Sequence, residues 1–204
     1  MSTFFLLRHA AHDWLGRGIA GRLPGVGLNA TGQAQARTLA RQLGTSGITA
    51  IYSSPQQRTL ETAAPLAALL ALPVHAAAEF DEIDFGAWTG REFAELQADA
   101  FLWRQWVDHR GSATPPGGEA FADVQRRALS GLQRLQRLHP EGSVLVVSHG
   151  DVVKALLAGH LGLSLDLLER FEIAPASISV LAAGEGWSQV RLVNGSGAGL
   201  AAPA

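Results

Sequence analysis

Arg8-His9 and Ser148-His149-Gly150 each close an uninterrupted apolar run, Phe4 to Leu7 and Val144 to Val147, and Arg58 stands in what reads as the first turn of a helix. Two histidines and two arginines with a carboxylate suit phosphoryl transfer through a covalent phosphohistidine. A neutral imidazole nitrogen is a competent nucleophile near neutrality, and covalent capture divides one hard displacement into two easier ones. The phosphoryl oxygens stay charged throughout and need fixed donors. Arg8 and Arg58 supply these without a metal, and a protonated or hydrogen-donating His149 adds another. The departing alkoxide needs a proton. Glu79 to Gly90 places Asp81, Glu82 and Asp84 among Phe, Trp and Gly, and a carboxyl group against an aromatic ring loses hydration and can release its proton near neutrality. All three qualify on chemistry alone, with a solvated acidic turn as the plain alternative. Arg58 could equally pair with Glu61 or water, and a basic residue at a strand end is commonplace. The elements decide whether these groups meet.

Four apolar residues in a row are too short for a helix and read as a strand buried on both faces. Ala10 to Asn29 carries five glycines and Pro24, so it is a loop over the sheet edge. Asn29 or Thr31 caps a helix from about Thr31 to Leu43. Ile48 to Ser53 is a second strand. Ser54 as N-cap, Pro55 at the first helical position and Gln57 form a capping-box pattern that opens a helix to about Leu70. Pro73 to Ala76 is a third strand, Glu79 to Gly90 is irregular, and Phe93 to Val107 is helical in two short pieces. Phe121 to His139 is the clearest helix, with Phe121, Val124, Ala128, Leu132 and Leu135 on one face and a solvated basic face containing Arg126, Arg127, Arg134 and Arg137. A helix from about Asp151 to Leu161 follows His149, and strands at 177–181 and 189–193 end the pattern. The alternation predicts an α/β three-layer sandwich with a mainly parallel central sheet flanked by helices. Parallel strands bring His9, the Arg58 helix start and His149 to one carboxyl edge, where open sheets bind ligands.

The chain has 204 residues, 47% of them hydrophobic, which suffices for one core. The expected organisation is a single domain over 1–194 and a flexible glycine-rich tail over 195–204. A formal net charge of -2 argues against nucleic acid or an anionic membrane surface as partner. No cysteine is present, which excludes disulfides and thiol catalysis and fits a reducing compartment. With no basic leader and no spanning run, a cytoplasmic protein is expected. Metal hydrolysis is the competing chemistry, since His9, His12, His149 and Asp151 can be drawn around an ion. However, His9 and His12 fall at a strand end and in a loop, and there is no H-E-x-x-H, so no metal and no cofactor are expected. His75, His109, His139 and His160 show no partner pattern.

Leu6-Leu-Arg-His9, Gly21-Arg22, Leu28-Asn-Ala-Thr-Gly-Gln-Ala-Gln-Ala36, Ser53-Ser-Pro-Gln-Gln-Arg-Thr-Leu-Glu-Thr62, Glu82-Ile-Asp-Phe-Gly-Ala-Trp-Thr-Gly90, Pro116-Gly-Gly-Glu119 and Val147-Ser-His-Gly150 occur in the order of a known set. The chain thereby resembles the histidine phosphatase superfamily, in its phosphoglycerate mutase-like branch. The resemblance implies that His9 is the phosphorylated nucleophile, that Arg8, Arg58 and His149 bind phosphate, and that Glu82, rather than Asp81 or Asp84, is the proton donor. It also places residues 101–118 over the pocket, which marks Trp103 and Trp106 as candidate substrate contacts. Where the family usually has Gly-Glu and then Trp-Asn, this chain has Ala10, Ala11, Trp14 and Leu15, and Pro24 replaces a common glutamine. These departures predict a pocket with fewer polar contacts. They favour a phosphatase on a small phosphorylated substrate over a cofactor-dependent phosphoglycerate mutase, while the retained His9, Glu82 and His149 argue against a noncatalytic phospho-ligand binding module. A homodimer is left open.

Overall fold

A computed structural model describes residues 1–98 and 100–196. Six strands, β1 (Ser2–Arg8), β2 (Ala50–Ser53), β3 (Val74–Ala76), β4 (Ser143–Ser148), β5 (Ile178–Gly184) and β6 (Trp187–Gly195), form one sheet in the order β3-β2-β4-β1-β5-β6. The β1–β4, β4–β2 and β2–β3 pairs are parallel, while β5 and β6 add an antiparallel edge. Helices α1 (Ala30–Leu43) and α2 (Gln57–Leu70) cover one face, and α5 (Phe121–Leu138) and α6 (Gly150–Leu161) cover the other. Two short helices, α3 (Phe93–Ala98) and α4 (Ala100–Asp108), lie between α2 and α5 in the chain. The architecture is the expected α/β three-layer sandwich.

The run at the start of β1 is buried from both sides. Phe4 and Leu6 pack with Val144, Val146, Val124, Leu132 and Leu156, whereas Phe5 and Leu7 pack with Leu145, Val147, Leu39, Leu43 and Leu66. Each such side chain removed from water contributes about 1.5–3 kcal/mol, which fixes the position of this strand more firmly than any single polar contact would. Register then sets the chemistry. Arg8 pairs with Ser148, and one step further the His9 N–H donates to the Ser148 carbonyl at 2.9 Å. Ser53 lies beside Val147, so the turn into α2 opens at the same edge.

The elements agree with the sequence pattern apart from their ends and one cap. Asn29 is the cap of α1, its side chain accepting the Gly32 N–H at 2.9 Å. The capping box at Ser54 does not form. Instead α2 begins at Gln57, with Gln56 in extended backbone as an N-cap that makes no side-chain cap bond. Gln57 bonds forward to Glu61, and Ser54 is left for another use. The tail expected from 195 overlaps the end of β6 at Gly195, and residues 197–204 lie outside the described residues. Among the described residues, no helix is long and apolar enough to cross a membrane.

Candidate active site

His9 follows directly on β1, and its backbone is pinned on both sides, to the Ser148 carbonyl and by the Ala176 N–H. Its Nδ1 lies 2.9 Å from the Ala10 carbonyl oxygen. A carbonyl only accepts, so Nδ1 carries the proton and Nε2 keeps its lone pair. Burial, reinforced by the charges of Arg58, Arg8 and His12, holds the imidazole pKa well below its ordinary value despite the Ala10 bond. At neutral pH His9 is therefore an uncharged ring with one fixed tautomer. It lines a cavity of about 290 Å³ at the carboxyl edge of the sheet.

The arginines beside it are buried cations with donors to spare. Arg58 is 1% exposed, and its Nη2 donates to the Gly21 carbonyl at 2.8 Å and to His149 Nδ1 at 3.0 Å. Its Nε and Nη1 are sealed and have no partner among the described residues. Arg8 donates through Nη1 to the Ile173 carbonyl, and its Nε is likewise sealed and unpartnered. Gly150 leaves room for it, because an added Cβ would stand 3.2 Å from the guanidinium carbon. Burial lowers both arginine pKa values, and Glu82 offsets part of the cost for each. Unpaired buried N–H groups carry a desolvation cost that a bound oxyanion would relieve.

His149 is fully buried and stands behind Arg58 and Glu82 rather than on the cavity wall. Since the Arg58 guanidinium only donates, His149 Nδ1 accepts, and its Nε2–H donates to Ser54 Oγ at 2.8 Å. Ser54 Oγ–H donates to Asp81 Oδ1 at 3.0 Å, and Asp81 also accepts from the Gln56 amide and the Glu82 N–H. Burial first, then Arg58 and the other neighbouring cations, keep His149 neutral. The protonated form considered from sequence is disfavoured here, and its donor points inward to Ser54.

Of Asp81, Glu82 and Asp84, Glu82 is the one that lines the cavity. Its Oε2 lies 3.3 Å from His149 Nδ1 and 3.6 Å from Arg58 Nη2, and its Oε1 accepts the Ile83 N–H. Burial raises its pKa to about 7, against the opposing pull of Arg58 and with a smaller push from Asp151. Asp81 is consumed by Ser54 and Gln56, and Asp84 turns to the Gly86 N–H and Arg22. Backbone placement makes this choice. The Glu82 carbonyl is clamped by Arg22 Nε at 2.9 Å and Arg127 Nη2 at 3.1 Å, and Arg127 also grips both Glu119 oxygens and the Glu79 carbonyl. Arg127 thus departs from the solvated face expected of α5. Removing it in Arg127→Met should cost about 1.5–3 kcal/mol of stability, the range for hydrogen bonds to a charged group, measurable by denaturant titration. Release of the Glu82 backbone should lower turnover more than substrate affinity.

Trp14, Leu15, Phe85, Phe93, Trp103 and Trp106 give the cavity its apolar lining, and Arg110, which lies 5.4 Å over the Trp106 ring, joins Asp151, Lys154 and Glu172 as charged lining. Trp106 is 2% exposed and packs on Phe85, Trp88 and Phe121, so most of the ring is core, while Trp103 is more open. Of the four departures, only Leu15 lines the cavity. Ala10 is buried beside Leu28 and Ala36, the Ala11 carbonyl lies against Gly32, and Pro24 is exposed. The expected loss of polar contacts is confined to one wall position. Sequence patterning missed Ser54, taken as a cap, Arg127, taken as a surface charge, and His12, considered only as a metal ligand. Among the described residues, no group of three or more His, Asp or Glu side chains is arranged to hold a metal ion.

The model of the histidine phosphatase superfamily (branch 1) matches residues 4–195. A bifunctional protein of Mycobacterium tuberculosis is 42% identical over 204 residues, a match covering 96% of this chain and 54% of that protein. The chain thus spans about half the length of such curated relatives. Phosphoserine phosphatase 1 of Hydrogenobacter thermophilus is 33% identical over 184 residues, covering 89% of this chain and 86% of the relative. Among solved structures, YhfR of Bacillus stearothermophilus superposes with a TM-score of 0.91 at 28% identity, covering 96% of this chain and 98% of its own. From the ordered motifs, the sandwich and these matches together, the chain belongs to the histidine phosphatase superfamily.

Proposed function

We propose that the chain is a metal-independent phosphatase that hydrolyses a small phosphomonoester through a phosphohistidine at His9. The observation that carries this reading is the His9 tautomer, which keeps a lone pair available beside buried arginine donors that have no protein acceptor. In the first step Nε2 attacks phosphorus, the phosphorus–oxygen ester bond breaks, and Glu82 gives its proton to the departing alkoxide. Arg8 and Arg58 hold the phosphoryl oxygens as charge moves between attacking and leaving atoms. Nδ1–H stays on the Ala10 carbonyl, which steadies the cationic phosphoimidazole. Water then attacks phosphorus and gives a proton to the Glu82 carboxylate, and the phosphorus–nitrogen pair returns to His9. The chain Arg58–His149–Ser54–Asp81 orients the guanidinium without carrying a proton to substrate.

Hydrolysis is favoured over mutase activity by the cavity rim. Arg110 is already paired with Asp151 at 3.1 Å and Glu169 at 2.9 Å, and Lys154 with Glu169 at 3.4 Å, while Glu172 adds another acid. Among the described residues both rim cations thus already serve acidic partners, which leaves only the buried Arg110 Nε without an acceptor for the second anionic group of a phosphoglycerate. A noncatalytic binding module would have no use for a carboxyl group titrating near 7 beside the nucleophile. The substrate is a small phosphorylated molecule, with no nucleic acid or membrane partner and no cofactor. A cytoplasmic setting fits a chain without cysteine.

In chelator, the purified chain should release inorganic phosphate from members of a phosphomonoester panel and form an acid-labile phosphoenzyme. Interconversion of 2- and 3-phosphoglycerate outpacing hydrolysis would establish the mutase instead. Ligand binding with no acid-labile phosphoenzyme would establish the binding module.

A further inference from the structure

His12 occupies the loop immediately after β1, is 5% exposed, and lines the same cavity as His9, with the two ring centroids 4.9 Å apart. The Trp14 N–H points at its Nδ1 from 3.2 Å. A backbone N–H only donates, so Nδ1 accepts and the ring proton resides on Nε2. That nitrogen has no hydrogen-bond partner among the described residues and is not one of the sealed polar atoms. With the ring otherwise enclosed, its opening is the cavity. Burial, then the positive charges of Arg58 and Arg8, lower the His12 pKa to about 4, with Asp13 opposing weakly. His12 is therefore neutral at working pH and presents a permanent N–H donor in the field of both arginines. On the same loop the apolar Leu15 lines the wall and can donate nothing.

We propose that His12 is a phosphoryl-binding residue, donating from Nε2–H to an oxygen of the group that His9 attacks and supplying the polar contact that Leu15 lacks. The proposal rests on the phosphatase reading for the identity of the oxyanion. It also separates the two neighbouring histidines by tautomer: His9 exposes a lone pair and acts as nucleophile, whereas His12 exposes a proton and acts as donor. The competing account is that His12 merely fills space under the loop as an aromatic plug.

Orthovanadate, which adopts the five-coordinate geometry of a transferring phosphoryl group, is the probe because its binding requires no turnover. His12→Phe keeps an aromatic ring without the donor, and His12→Gln keeps an N–H donor without the ring. A charge-assisted hydrogen bond predicts vanadate affinity and kcat/KM both about 10- to 100-fold weaker in His12→Phe, with recovery to within about 3-fold in His12→Gln. A plug predicts the reverse order, and that result would overturn the proposal. Nitrogen NMR of the unmodified protein gives a test independent of variant folding. His12 must show the Nε2–H tautomer, and vanadate must shift that resonance; an Nδ1–H tautomer or an unmoved signal sinks the assignment. If wild-type protein binds vanadate through His12 yet forms no phosphoenzyme, the phosphatase reading fails and the His12 site stands.

Discussion

His9→Ala should abolish the acid-labile phosphoenzyme and reduce turnover by at least about 10⁴-fold, the scale on which loss of a covalent nucleophile is felt. No other side chain can take over. The lone-pair nitrogen of His12 is occupied by the Trp14 N–H, and that of His149 by the Arg58 guanidinium. Each of those rings would have to reverse its tautomer and break a buried hydrogen bond before it could attack phosphorus. The arginine donors survive the substitution, so inorganic phosphate should still bind while chemistry stops. Radiolabelled substrate followed by acid and alkaline treatment of the trapped protein reads the first outcome, and equilibrium binding of phosphate reads the second. A phosphoenzyme that persists in His9→Ala would place the nucleophile elsewhere. Because burial and nearby cations keep His9 neutral well below its usual titration range, the wild-type rate should show no loss on the acid side near pH 6.5 attributable to this ring.

The convergence of His9, Arg58 and His149 was legible because it depends on apolar runs. Phe4–Leu7 and Val144–Val147 read as buried strands, and parallel pairing then brings their polar ends together. Arg8 and His149 could be placed by register alone. The choice among Asp81, Glu82 and Asp84 could not, because an irregular segment has no period from which to tell which side chain turns inward. The path of the chain there is set by remote groups, with Arg22 and Arg127 holding the Glu82 carbonyl and Ser54 holding Asp81. Arg127 was hidden for a related reason. It lies on the polar side of an amphipathic helix, and only the returning Glu79–Glu82 segment converts that side into an interior contact. Ser54 carried a helix-cap pattern, but α2 starts at Gln57 and the Ser54 hydroxyl lies between His149 and Asp81. His12 was invisible as a donor because its role depends on which ring nitrogen the Trp14 N–H faces.

Glu82→Gln should slow the phosphorylation step by about 10²- to 10⁴-fold for alkyl phosphates, the usual contribution of a general acid, and far less for a nitrophenyl ester whose leaving group needs no proton. Single-turnover rates on the two esters make the comparison, and equal slowing would assign the proton to another group. With the activated ester the phosphoenzyme should accumulate, because glutamine cannot take a proton from the attacking water. The pH profile follows from the same carboxyl. Its pKa is raised from 4.5 to about 7 by burial, so the acid form is present below that value, and the wild-type rate on alkyl phosphates should fall as pH rises through about 7. Glu82→Gln should lack that limb. Stability moves with the same proton. The folded chain holds it more tightly than the unfolded chain between pH 4.5 and about 7, so this site's contribution decreases as pH rises across the window and levels off above it. At about 1.4 kcal/mol per pKa unit, the ionised carboxylate costs the fold up to about 3 kcal/mol at alkaline pH. Glu82→Gln should therefore melt higher than wild type at pH 8 to 9, with the gap closing towards pH 4.5. A variant that loses catalysis while gaining alkaline stability would show that the burial which makes Glu82 a usable acid is a strain the fold otherwise carries.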